Sequence, residues 1–375
     1  MYNNNKGNRM RKMDNLEFRI LQMLRKNPFL AQKEIAEIIG ISRSSVAGHI
    51  LNLQKKGHIK GKGYIFSSGN YAVTVGASNM DITSYASAEL LKRDSNPGKT
   101  KYTLGGVARN IAHNIAALKN DCYLISVFGD DAYGKRLFNE TRLAGVDVSH
   151  THKLDDERTS SYNSIVNSKS QLQTAVSDMD ILKKLTPELL NKSKSLIEQA
   201  GILIIDCNLT EDALEWLFKY SGSVPIFVNP VSAHKAGIVC NWLSHIHTIR
   251  PNISEAERIS GIKINSIKEA QSATLWFHDQ GVQRVILDME SEGVYYSELD
   301  YISGYSPALP VNIVNTLGAG DAMMAGLVHC ALAGMDFQES VYFAQRCAAF
   351  ILSTELTYSL TLSPFAVGEL LALDS

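Results

Sequence analysis

The spacing of apolar positions changes character near residue 70. Before that point the spacing is helical. Leu16, Ile20 and Leu24 predict a first helix ending near Asn27 and Pro28. Residues 32–39 predict a second, stopped by Gly40, and Ser42 reads as the N-cap of a third with Val46, Ile50 and Leu53 on one face. Helix, glycine turn, helix is the helix-turn-helix pattern. After residue 70, short apolar runs at 71–75, 123–127, 202–205, 226–228, 246–249 and 285–287 alternate with helical stretches at 109–118, 211–219 and 267–280. Near-continuous apolar runs of this length are what parallel strands covered on both faces require, so the expected fold class is α/β, doubly wound and mostly parallel. Ligands in such folds bind beyond the carboxyl ends of the strands.

Charge divides the chain at the same place. Residues 1–70 hold 13 Lys and Arg against 4 Asp and Glu, a net +9, and the remaining residues hold 24 against 34, a net −10. A basic end on an acidic body predicts a polyanion partner for that end. The third helix would present Arg43, Ser44, Ser45, His49 and Asn52 to phosphates or base edges, and a Lys/Gly-rich hairpin at 57–66 would supply Lys60 and Lys62 as a wing. A helical protein-interaction module with a solvated basic surface is the alternative. The chain of 375 residues is therefore expected to hold a DNA-binding domain at 1–67 and a larger domain at 71–375. No run of about 18 apolar residues predicts a membrane span. Five scattered cysteines (Cys122, Cys207, Cys240, Cys330 and Cys347) read as free thiols of a cytoplasmic protein.

Candidate chemistry concentrates at Asn315-Thr316-Leu317-Gly318-Ala319-Gly320-Asp321. Two glycines let backbone N–H groups converge at a helix start, where the dipole favours an anion. Asp321 there could take a proton from a hydroxyl attacking a phosphate; a packing turn capped by Asp321 is the bland alternative. Upstream, Asn79 and Asp81 follow the first strand, and Gly105-Gly106 with Asn110 opens a helix. Carboxylate, amide and approachable backbone together suit a polyol, although an ordinary loop-to-helix turn and a helix cap would use the same residues.

Taken in order, these segments resemble the ribokinase/PfkB family of carbohydrate and nucleoside kinases over essentially all of 71–375. The resemblance rests on 76–81, Gly105-Gly106 with Asn110, 129–134, Asn229-Pro230, Asn252 with Glu255, and Gly318 to Asp321. It implies Asp321 as general base and Gly318, Ala319 and Gly320 as the cradle for the transferring phosphoryl group. It implies Asn229, Asn252, Glu255 and Thr316 toward ATP, with Asn252 and Glu255 organising Mg²⁺ through water. Asn79, Asp81, Gly105, Gly106 and Asn110 would grip the acceptor. It further implies a β lid from insertions at about 82–104 and 159–178, and a homodimer.

Departures from the family pattern are Asn315 where Asp is usual, which leaves a monovalent cation undecided, an altered nucleotide segment at 288–293, and Met323 for Phe. Ser95 and Asn96, in Asp94-Ser95-Asn96-Pro97-Gly98, with Lys235 after Asn229, are similar to pseudouridine kinases and imply pseudouridine as acceptor; the same tetrapeptide is also an ideal β-turn. A kinase for another ribonucleoside or sugar, and a nucleoside-sensing regulator with weak catalysis, are the competing expectations.

Overall fold

The computed structural model describes residues 15–27, 30–55, 70–169, 171–359 and 361–369. The chain divides into two compact units, Met1–Ser67 and Ser68–Ser375. In the first, α1 (Asn15–Lys26), α2 (Gln32–Ile39) and α3 (Arg43–Lys55) close a core of Ile20, Leu21, Ile35, Ala36, Val46, Ile50 and Leu53. Gly40 ends α2 at φ 78°, and the Ser42 hydroxyl accepts the Ser45 N–H at 3.1 Å to start α3. The predicted wing at 57–66, with Lys60 and Lys62, lies outside the described residues.

The second unit begins with β1 (Ala72–Val75), β2 (Asn79–Ala86), β3 (Gly98–Gly105) and α4 (Val107–Ala117). Next come β4 (Cys122–Ile125), β5 (Val127–Gly129), α5 (Ala132–Leu143), β6 (His152–Leu154), β7 (Ser161–Val166) and β8 (Leu172–Asp178). The remaining strands are β9 (Ile202–Asp206), β10 (Ile226–Asn229), β11 (Thr248–Ile249), β12 (Arg284–Asp288), β13 (Gly293–Glu298) and β14 (Ile302–Pro307). Eight of them form one sheet in the order β14-β13-β12-β11-β10-β9-β1-β4, parallel from β12 to β4. β13 and β14 add an antiparallel edge that the apolar runs did not predict. Successive residues feed opposite layers: Val73, Val75, Leu203 and Ile205 pack on one side, Ala72, Ile202 and Ile204 on the other.

Because β1 pairs with β4 on one side and β9 on the other, the chain reverses direction across the sheet at β1. The crevice for a ligand therefore opens beyond the ends of β1 and β9. A second sheet, β3-β2-β7-β8, is built from the two expected insertions. Asp131 caps α5 through the Gly134 N–H and also accepts the Thr159 N–H and hydroxyl, which fastens the root of the second insertion. Residues 311–314, an apolar run before the glycine turn, form no strand; Ile313 and Val314 are exposed in a loop. All five cysteines are free, four of them buried and Cys240 exposed. Among the described residues no helix is long and apolar enough to cross a membrane.

Candidate active site

The site is assembled where β1, β9 and β10 end and where two helices begin. Gly318 sits at φ 83°, and a Cβ there would lie 2.2 Å from the Thr357 carbonyl oxygen, so the turn requires glycine. It opens the helix Ala319–Leu332, whose first-turn N–H groups have no intrahelical acceptors. Gly320 packs directly on a guanidinium: its Cβ would meet Arg250 Nη2 at 2.3 Å. Gly318, Ala319 and Gly320 thus present backbone N–H groups in a partly open cradle backed by the Arg250 cation.

Asp321 follows at once and is buried. Asn110 Nδ2 donates to its Oδ2 at 3.0 Å, and Asn229 Nδ2 lies 3.5 Å from its Oδ1. Burial pushes the Asp321 carboxyl up to about 7, while the Asn110 amide and the Arg250 charge pull it back. A carboxylate poised near neutrality, with both oxygens held by amides, is suited to accept a proton from a hydroxyl.

Asp81 lies near the start of β2 and accepts from Asn79 Nδ2 at 2.6 Å. Burial raises its carboxyl to about 6, against the Asn79 hydrogen bond and the Arg109 charge. Gly105 lets this carboxylate lie against the backbone, since a Cβ would approach Oδ2 to 2.2 Å. Gly106, at φ 98°, passes close over Ala77 and Ser78. So Asn79, Asp81, Gly105, Gly106 and Asn110 are gathered at one end of the crevice, with Asp81 near enough to Asp321 to raise its carboxyl.

The nucleotide-side residues are more occupied with one another than the sequence implied. Asn252 caps the helix Ile253–Ser260 in a reciprocal box with Glu255, whose carboxylate accepts the Asn252 N–H at 3.0 Å and Nδ2 at 3.3 Å. Glu255 is buried and its carboxyl is raised by burial. Among the described residues no group of three or more His, Cys, Asp or Glu converges as a metal cage. This donor set fits Mg²⁺ only as a hydrated ion held on phosphates, with Asn252 and Glu255 reaching it through water. Asn229 Oδ1 accepts the Val231 N–H at 3.1 Å, Thr316 is exposed beside the turn, and Asn315 donates to the Glu355 carbonyl at 3.3 Å.

Ser95 is exposed on the β2–β3 loop. Asn96 spends its amide on that loop, accepting the Leu91 N–H and donating to the Leu91 and Asp94 carbonyls. In the first unit Arg43, Ser44 and Asn52 are exposed, and Ser45 and His49 are partly covered.

Sequence reading missed three charged groups. Asp206 ends β9 and accepts the Ala77 N–H at 2.8 Å and the Ala108 N–H at 3.0 Å, tying the end of β1 to the start of α4. Its other oxygen holds Asn208, which in turn accepts from Lys235. Arg250 pairs with Asp288 at 2.8 Å behind the cradle. Arg109 lies fully buried behind Asn110.

Residues 70–363 match the pfkB family of carbohydrate kinases, and residues 13–60 match a winged helix-turn-helix DNA-binding family. The chain belongs to the pfkB family and is an ATP-dependent sugar or nucleoside kinase preceded by a winged helix-turn-helix domain. It is 45% identical over 337 residues to the Escherichia coli (strain K12) uncharacterized sugar kinase YeiI, covering 90% of this chain and 93% of that protein. It is 42% identical over 294 residues to the pseudouridine kinase of the same organism, covering 78% of this chain and 94% of that one. The fold is shared with Arabidopsis thaliana ribokinase complexed with ribose and ATP (TM-score 0.72, 21% identity, 80% of this chain and 98% of that one). A carbohydrate kinase from Agrobacterium tumefaciens superposes with a TM-score of 0.71 at 24% identity, over 81% of this chain and 97% of that one.

Proposed function

We propose that this protein phosphorylates the 5′-hydroxyl of a nucleoside with ATP, and that the nucleoside is pseudouridine. The observation that carries the phosphoryl-transfer reading is Asp321, buried at the head of the glycine turn with an amide on each oxygen. The 42% identity to a pseudouridine kinase supports the acceptor. In this reading Asp81, Asn79 and the Gly105-Gly106 backbone hold the ribose hydroxyls, and Asp321 removes the proton of the attacking hydroxyl. The N–H groups from Ala319 onward steady charge on the phosphoryl oxygens as it develops. Mg²⁺ carried with the nucleotide neutralises phosphate charge. The lid sheet excludes water, and its exposed Leu172 and Val176 support pairing with a second copy.

The winged helix-turn-helix match and the net +9 of residues 1–70 support DNA binding through Arg43, Ser44, Ser45, His49, Lys60 and Lys62. The test of the enzymatic reading is ATP consumption with Mg²⁺ across pseudouridine, common ribonucleosides, ribose and fructose. Selective turnover of pseudouridine is expected. Selective turnover of another acceptor would discard the acceptor and retain the mechanism, and nucleoside binding with no turnover would favour a ligand-sensing regulator.

A further inference from the structure

We propose that Arg109 is a positioning residue for phosphoryl transfer: from behind Asn110 it locks that amide so that an N–H, and not a carbonyl oxygen, meets the Asp321 carboxylate. The proposal rests on the reading of Asp321 as the base.

Arg109 has no solvent exposure. Its Nε donates to Thr141 Oγ1 and its Nη1 to Asn110 Oδ1, both at 3.2 Å. Its Nη2 lies 3.2 Å from His113 Nδ1, and its Cζ lies 4.1 Å over the Tyr358 ring. Since a guanidinium only donates, His113 must accept through Nδ1 and carry its proton on Nε2. Among the described residues no carboxylate lies within ion-pair distance of Arg109. Glu140 and Asp81 act on it only at longer range. A buried cation held by neutral groups is costly, and an apolar side chain of similar volume would fill the space at less cost. Packing therefore does not account for an arginine here.

Its hydrogen bonds do account for it. An asparagine amide can turn over, exchanging oxygen for nitrogen with almost no change of shape. Facing a group that only donates, Asn110 must present Oδ1 to Arg109, and Nδ2 is then obliged to face Asp321 Oδ2. The turned amide would set two oxygens against each other. The other Asp321 oxygen is served by the same device: the Val231 N–H fixes Asn229 Oδ1, leaving Nδ2 toward Asp321 Oδ1. Asn110 keeps a second N–H on Nδ2, so the lock also aims a donor toward an acceptor hydroxyl beside the base. Arg250, Asp206 and Asp81 are the other charged groups acting on Asp321. Arg250 is engaged with Asp288, Asp206 with backbone N–H groups and Asn208, and Asp81 with Asn79, which leaves the Asn110 oxygen to Arg109.

The experiment is a double-mutant cycle on the full chain with Arg109→Met and Asn110→Ala. It reads kcat, both KM values and the pH profile of kcat/KM for the best acceptor found. Arg109→Met is expected to lower kcat about 10- to 100-fold with KM for ATP within about twofold, and to move the acid limb to higher pH. The double variant is expected to be no worse than Asn110→Ala alone. Multiplying losses, or an unmoved acid limb, would overturn the proposal. Should Arg109→Met fail to fold, Arg109→Gln keeps a polar side chain but can offer Asn110 an oxygen as readily as an N–H, so it no longer fixes the amide. Full turnover with an unmoved limb in that variant would equally sink it. Near-normal turnover of Asp321→Asn would remove the base reading itself, whereas a large fall there beside multiplying losses in the cycle would remove only Arg109.

Discussion

At Asp321 two demands oppose each other. The proposed role as base needs the carboxylate ionised, yet burial lifts its carboxyl to about 7. Between its unfolded value near 3.8 and about 7 the folded chain binds the extra proton, so stability from this group falls as pH rises through that window. Turnover has the opposite sign: kcat/KM should rise across pH 6 to 8 with a midpoint near 7, because only the ionised form accepts the hydroxyl proton. A flat profile across that window would remove Asp321 as the titrating base. Asp321→Asn separates the two effects. It should lower kcat by about 10²- to 10⁴-fold while leaving acceptor binding nearly intact. It should also raise Tm at pH 8 by roughly 2–6 °C, with a smaller gain at pH 5, where the native carboxyl is already protonated. Thermal melts of both proteins at the two pH values check this; an equal change in Tm at both would mean that the substitution acts through packing.

Elements bring the site together through glycines, and the proposed function assigns each glycine to one half of the reaction. Gly105 makes room for the Asp81 carboxylate, so Gly105→Ala should raise the acceptor KM by about tenfold or more and leave KM for ATP within about twofold. Gly320 makes room for Arg250 at the phosphate cradle, so Gly320→Ala should instead lower kcat by about 10- to 100-fold. Steady-state kinetics on the pair test this division, and a fall in kcat for both with no KM split would contradict it. These glycines were legible because a glycine turn that opens a helix is a local pattern, although only Gly105 stands at the end of a strand. The parallel strands were legible as unbroken apolar runs. Asp206 was not, because its partners Ala77 and Ala108 lie 129 and 98 residues away and are backbone groups that leave no mark in composition. Arg109 and Arg250 carried no signal in the sequence, because only packing of distant segments encloses them. The edge formed by β13 and β14 carries β-prone residues around a turn at Asp300, with φ 61°, but β13 is buried on both faces and shows no alternation to mark it. Asn96 illustrates the reverse case: a polar lid residue suggested a ligand contact, and in this structure its amide closes its own loop.

Across the whole chain, each unit closes its own core. Among the described residues, the cluster around Ile20, Ile35, Val46 and Leu53 draws on residues between Leu16 and Leu53. Among the described residues, the two layers on the large sheet and the small cluster under the lid draw on Tyr71 to Val367. The residues assigned to the acceptor, the phosphate cradle and the base, from Asn79 to Asp321, all belong to the second unit. Phosphoryl transfer is therefore expected to run without the basic end, and a chain of residues 68–375 should fold and keep kcat and both KM values within about twofold. The same truncation removes Arg43, Ser44, Ser45 and His49 along with the whole net +9, so retention on duplex DNA should be lost. For the full chain that retention should weaken steeply between about 50 and 200 mM salt, as counterion release by several Lys and Arg contacts requires. Parallel assays on the two proteins decide it. A truncated chain that folds but loses turnover would show that the basic end completes the kinase site. Full-length protein that passes duplex DNA at low salt would return residues 1–67 to the protein-interaction reading and leave the kinase untouched.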